Sequence, residues 1–164
     1  MIRTAGITAF LIGSCLVYPA STLGDSFNAG IIVGDPTGLS FKGWLNSTQA
    51  YDIAASWSNG STDKRYLHSD YLNHDYTLIK VPNGDLPVYY GLGARLLDEN
   101  NRKTKLGIRI PVGLDYLMDK IPLSLFVEVV PTLDVTPDTD FALDAALGIR
   151  YRFSMPDAGQ QGAR

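Results

Sequence analysis

The stretch from Phe141 to Phe153, FALDAALGIRYRF, alternates without a break: Phe141, Leu143, Ala145, Leu147, Ile149, Tyr151 and Phe153 stand against Ala142, Asp144, Ala146, Gly148, Arg150 and Arg152. Successive side chains of a β-strand point to opposite faces, so this segment has one apolar face and one that carries small and ionisable groups. Such a strand needs two different surroundings, and which face meets which decides what the chain can be.

The N-terminal part reads differently. Met1 to Gly24 carries one charge, Arg3, then the apolar run Ile7 to Val17 and the small, helix-breaking Tyr18-Pro19-Ala20-Ser21-Thr22-Leu23-Gly24. This is the three-part layout of a secretory signal peptide, and its apolar core is short for a spanning helix. Residues 1–24 are therefore expected to be an export segment, 25–153 the folded domain and 154–164 a disordered Gly-, Gln- and Ala-rich tail. Past Gly24 no run approaches the roughly 18 apolar residues of a transmembrane helix. The single cysteine, Cys15, falls within the export segment, so the sequence from Asp25 onward offers no disulfide or thiolate metal site. Leu11-Ile12-Gly13-Ser14-Cys15 is similar to a lipoprotein cleavage box, which leaves a lipidated Cys15 open as an alternative. The chain has 14 Lys plus Arg and 17 Asp plus Glu; without Arg3 that is 13 against 17, a net −4 that gives no reason to expect a nucleic acid partner.

From Phe27 onward, alternating runs separated by turn residues predict eight antiparallel strands and no helix. They are Phe27 to Gly34, Leu39 to Leu45, Ala50 to Ser58, Arg65 to Lys80, Val88 to Leu97, Leu106 to Tyr116, Leu123 to Asp134 and Phe141 to Phe153. Pro36 with Gly38, Asn59-Gly60, Asn83-Gly84 and Pro137 mark connections. The fold class this implies is all-β: an eight-stranded antiparallel up-and-down barrel with short loops, spanning a membrane if its apolar face is outside. Pro111 and Pro131 lack an amide donor and predict bulges; if they instead end strands, the count of eight fails.

A soluble barrel would turn the apolar residues inward, and a membrane barrel would turn them outward. Three features favour outward. The opposite face carries Gly30, Gly91, Gly93, Gly107, Gly113 and Gly148, which suit a crowded interior. It also gathers Lys42, Arg95, Arg109, Arg150 and Arg152 against Asp52, Asp70, Asp115, Glu128, Asp134 and Asp144, charges close enough to balance for an ion-paired interior. Trp57, Tyr71, Tyr116 and Tyr151 sit toward strand ends, as an interfacial girdle would. Connections 35–38, 59–64, 98–104 and 135–140 would then face outward from the cell, and 81–87 would share the periplasmic side with both termini.

Gly148-x-x-Tyr151-x-Phe153 resembles the C-terminal signal by which bacterial outer-membrane barrels are recognised for insertion, although here the aromatic is not the last residue. The sequence from about Phe27 to Phe153 resembles small eight-stranded outer-membrane barrels of the OmpX and OmpA type, and is similar to an uncharacterised group of such barrels in GDPTGLSFKGWL, LGIRIPVGLDYL and PDTDFALDAALGIRYRF. The resemblance implies a bacterial outer-membrane location, with outer-membrane lipids and the barrel-insertion machinery as partners. It implies no activity, because one barrel fold hosts many roles.

No catalytic set emerges. His68-x-Asp70-x-x-x-His74 places three metal-ligand types on one face, but His68 and His74 would stand roughly 20 Å apart along a strand, too far for one ion. Ser69 beside His68 points to the other face and cannot form a dyad with it. Gly34-Asp-Pro-Thr-Gly38 lacks the lysine and spacing of a phosphate loop. The expected protein is a non-enzymatic membrane barrel with no cofactor and no metal, structural or interacting with an unidentified small molecule, its lumen too full to conduct freely. A soluble periplasmic lipocalin-like barrel, with Leu106, Ile108 and Ile110 lining a cavity, is one alternative. A lipid A-modifying membrane enzyme using His74 is the other.

Overall fold

The computed structural model describes residues 26–58, 64–99 and 103–154. The expected export segment and all of the expected tail but Ser154 lie outside them. The described residues form nine strands and no helix: β1 Ser26–Gly34, β2 Gly38–Trp44, β3 Gln49–Ser58, β4 Lys64–Asp75, β5 Val88–Glu99, β6 Lys103–Arg109, β7 Val112–Leu117, β8 Leu123–Thr136 and β9 Asp140–Ser154. All pairings are antiparallel, in the order β4-β3-β2-β1-β9-β8-β6-β5-β7, with β7 also on β8 and β4 also on β5. One face of this sheet is buried and the other exposed. Along β8 the buried residues are Ser124, Phe126, Glu128, Val130, Thr132 and Asp134, while Leu125, Val127, Val129 and Leu133 are exposed.

Nine strands correct the expected eight, and the reason is local. β6 and β7 are two halves of the expected sixth strand, parted at Ile110-Pro111. Register runs on across the break, since Gly93 faces Arg109 on one side and Tyr90 faces Val112 on the other. Two hydrogen bonds persist in the gap, Gly91 N to Pro111 O at 2.9 Å and Ile110 N to Pro131 O at 3.0 Å. Residues of an antiparallel pair normally exchange two such bonds, and neither proline can return the second. Pro111 fails its β5 neighbour and Pro131 fails Ile110, so both missing donors fall on one point of the wall. The expected bulges at the two prolines do not form. Pro131 pairs in register with Leu143, and the irregularity lies instead between Leu106 and Gly107.

β4 also stops earlier than expected, at Asp75 rather than Lys80. The Asp75 carboxylate accepts from the Thr77 amide at 2.7 Å and the Thr77 hydroxyl at 2.6 Å, an Asx turn that takes the backbone out of the ladder. The connection 76–87 is therefore longer than a tight turn. It is pinned to the end of β7, where Asp85 bridges Leu117, the Gly84 amide donates to Asp119 at 2.6 Å, and the Tyr116 hydroxyl donates to Asn83 O at 2.6 Å. Gly84 has φ 87°, a left-handed conformation that favours glycine.

Candidate functional site

The buried face brings four cations together with carboxylates from distant strands. Near the end that carries the 35–37 and 137–139 turns, Arg95 of β5 donates to Asp134 of β8 at 3.0 Å through both Nε and Nη2, and to Asp144 of β9 at 2.6 Å. Next along the axis, Arg109 of β6 donates from Nε to both carboxylate oxygens of Asp70 on β4, at 3.0 and 3.1 Å, and from Nη1 to the Tyr66 hydroxyl. Glu128 stands 3.6 Å from Arg109 and accepts from the Tyr89 hydroxyl at 2.8 Å. Arg150 of β9 donates to Asp52 of β3 at 2.5 Å and Ser40 at 2.8 Å, with its guanidinium 3.7 Å over the Phe126 ring. Lys42 of β2 donates to Asp115 of β7 at 2.6 Å, next to His74 Nε2 at 3.1 Å and 4.8 Å from the Tyr89 ring. Arg109 and Asp115 are wholly inaccessible. At this burial an ion is tolerated only if paired.

The glycines explain how these groups reach one another. Asp70, Gly93 and Arg109 lie opposite in register on β4, β5 and β6, and the Asp70–Arg109 pair crosses over Gly93. Arg95 reaches Asp134 over Gly107 in the same way. Tyr89 reaches Glu128 over Gly113, where an added Cβ would come within 2.5 Å of the Tyr89 ring and 2.6 Å of its hydroxyl. Arg150 reaches Ser40 over Gly30. A side chain at Gly93, Gly107 or Gly113 would meet the bridging groups themselves, and one at Gly30 would strike the Ile149 and Arg150 backbone. Ile32, Ala54, Leu72, Tyr89, Phe126 and Ala146 form an apolar cluster among the ionic groups.

Arg152 stands apart, donating to the Met118 carbonyl and to Ile121 O at 3.4 Å at the end that carries the termini. Tyr76 lies at that end, in the 76–87 connection; burial, then the Asp115 and Asp85 charges, push its phenol up to about 12. On the exposed face Phe153 stacks on Phe27 with centroids 4.6 Å apart and lies 4.7 Å from Tyr151, while Gly148 sits between Phe126 and Ile32 in register. His68 and His74 pair with interior charges, and Tyr66, Tyr89 and Ser40, which the sequence analysis does not single out, join the same buried network. The signal was present, since each occupies the same alternating face as the charges. His74 Nδ1 lies 3.1 Å from Thr48 O and Nε2 faces Lys42, so both nitrogens have partners. Leu106, Ile108 and Ile110 lie on the exposed face, not around a cavity. Among the described residues no three His, Cys, Asp or Glu side chains are grouped as a metal site would need.

No protein-family model and no curated protein matches the sequence. Solved structures do. The N-terminal β-barrel domain of Pseudomonas aeruginosa OprF matches with TM-score 0.53 and 14% identity over 78% of this chain and 96% of that one. A de novo designed transmembrane β-barrel matches with TM-score 0.45 at 16% identity, over 79% of this chain and 96% of the design. Neisserial surface protein A gives TM-score 0.45 and 13% identity, over 78% and 94%. The chain has an all-antiparallel β fold resembling outer-membrane β-barrel proteins.

Proposed function

We propose that the chain is a closed barrel of eight staves in a bacterial outer membrane, non-enzymatic, with a structural or small-molecule-interacting role. The observation that carries this is an inversion of the usual burial: Leu147 is 59% exposed and Leu92 61%, while Arg109 is 0% and Arg150 1% exposed. In water this arrangement would forfeit the hydrophobic effect twice over, whereas in lipid every exposed leucine is at home.

Closure is supported by the pairings. β6 and β7 share neighbours and register and count as one stave, and each stave pairs on both edges. From Leu67, one route of cross-strand partners runs Ala55, Leu39, Ile31, Ile149, Leu125 and ends at Tyr116; the other runs Leu96 and ends at Leu106. The two ends lie on the same stave but at different heights. That stagger is what tilted strands need to close. A wall without edges also satisfies the backbone in lipid.

In this reading Lys42, Asp52, Asp70, Arg95, Arg109, Asp115, Glu128, Asp134, Asp144 and Arg150 fill and brace the lumen, and Arg152 ties down the periplasmic rim. Gly148, Tyr151 and Phe153 form the insertion signal, residues 1–24 direct export, and outer-membrane lipids surround the belt. A soluble ligand-binding barrel is disfavoured by the exposure of Leu106, Ile108 and Ile110. Heat-modifiability tests the proposal: unboiled protein from a membrane fraction should run faster on a detergent gel than boiled protein. Recovery as a soluble protein with no mobility shift would overturn it.

A further inference from the structure

The interior ion pairs do not balance locally. Lys42 matches Asp115 and Arg150 matches Asp52, one to one. Arg95 serves two carboxylates, but Lys105, 30% exposed at the rim, lies 4.0 Å from Asp134 and supplies the second charge. Arg109 also faces two, Asp70 and Glu128, at 2% and 5% exposure, with no second lysine or arginine pairing with either among the described residues. Asp70 takes both Nε contacts. Glu128 is left at 3.6 Å from Nη2, a nitrogen without a hydrogen-bond partner, and His68 holds Nε2 at 3.7 Å from Asp70 while its Nδ1 has none.

We infer that the Asp70–Arg109–Glu128 cluster takes up one further positive charge from solution, a proton or a small monovalent cation, when the barrel folds. An uncompensated carboxylate enclosed in protein within a bilayer is too costly to persist, so folding selects the state in which the extra charge is present. Among the described residues, the groups facing Glu128 leave no internal substitute. β5 offers the Tyr89 hydroxyl, β6 Arg109, which Tyr66 also contacts, β4 Asp70, with His68 beside it, β3 Asp52, β7 Gly113 in register, and β9 Arg150, which donates to Asp52. The charge therefore comes from outside, and a carboxylate of this cluster can accept it if it is a proton. The inference rests on the membrane-barrel reading, because only an enclosed interior makes the imbalance expensive.

The test compares wild type with E128Q, which removes the excess charge yet still accepts from Tyr89. Both are folded into phosphatidylcholine vesicles, scored for the heat-dependent gel shift, and unfolded in urea between pH 6 and 10 in choline chloride or sodium chloride. A proton bound only by the folded state makes wild-type stability fall as pH rises, and a bound cation makes it rise with sodium over choline. E128Q should fold at least as well and lose whichever dependence wild type shows. The proposal is overturned if the two proteins follow parallel curves in both salts, or if E128Q fails to fold where wild type folds. Loss of the gel shift in wild type itself would count against the membrane barrel and thereby against this inference too.

Discussion

Arg150 and Asp52 form one ion pair, yet removing either side should not cost the same. Asp52 of β3 lies directly opposite Asp70 of β4, two carboxylates on one face of adjacent strands. They coexist because their cations arrive from different directions, Arg150 to Asp52 at 2.5 Å and Arg109 to Asp70 at 3.0 Å. Replacing Arg150 by Met leaves Asp52 buried without its cation, a loss of about 3–5 kcal/mol for a broken buried pair. Within that figure the exposed repulsion is substantial: unit charges about 5.5 Å apart repel by about 3 kcal/mol at an effective dielectric constant of about 20. Asp52→Asn removes the same pair but also removes the repulsion, and Arg150 keeps Ser40 and its seat over Phe126, so the cost should be about 1–2 kcal/mol. The double variant should cost less than R150M alone. Urea unfolding in vesicles, followed by the heat-dependent mobility shift, measures all three. Equal losses for R150M and D52N, or simple additivity in the double variant, would refute the argument that opposed cations hold Asp52 and Asp70 apart.

Other outcomes follow from the same geometry. Tyr89→Phe should lose about 1–3 kcal/mol with its bond to Glu128, read by the same unfolding assay. Gly113→Val should abolish the gel shift by driving the Tyr89 ring out of its path. Leu147→Arg, on the exposed apolar belt, should destabilise by about 2–4 kcal/mol in bilayers. Pro111→Ala should give Gly91 O a donor, adding about 0.5–1.5 kcal/mol and slowing amide exchange around residue 110. Phe153→Ala, which unstacks Phe27, should lower the yield of assembled protein in membranes while leaving detergent refolding nearly intact.

How much of this was legible in the sequence depends on the range of the interaction. Which face each side chain takes was readable throughout, from Tyr51 against Asp52 to Ile149 against Arg150, because a period of two is a local property. Which acid meets which base was not. Lys42 stands opposite Asp52 in register, yet it reaches across the buried face to Asp115, and Asp52 takes Arg150 instead. Such choices depend on curvature and stagger, which no single strand records. The early end of β4 was readable in principle, since Asp75-x-Thr77 is an Asx-turn pair, but the apolar residues that follow mask it. The prolines act at Pro111 through the strand end that the sequence left open and not through bulges, and the part Pro131 plays is visible only once Ile110 is known to face it.

That placement has a physical logic. A proline paired on both sides within a sheet must leave a neighbouring carbonyl short of a donor, and two prolines far apart would weaken the sheet at two places. Here both deficits meet at residues 110 and 111, so β6 and β7 absorb them together while every other strand runs unbroken. Behind this break the Tyr89–Glu128 hydrogen bond spans β5 to β8 across β7, joining the two strands whose shared neighbour is interrupted. The side chain that requires Gly113 is thus also the brace for the weakest part of the sheet, which is why Tyr89→Phe should cost less in the Pro111→Ala background than in the wild type. Strictly additive effects of these two substitutions would show that the interior hydrogen bond and the interrupted ladder bear on separate parts of the structure.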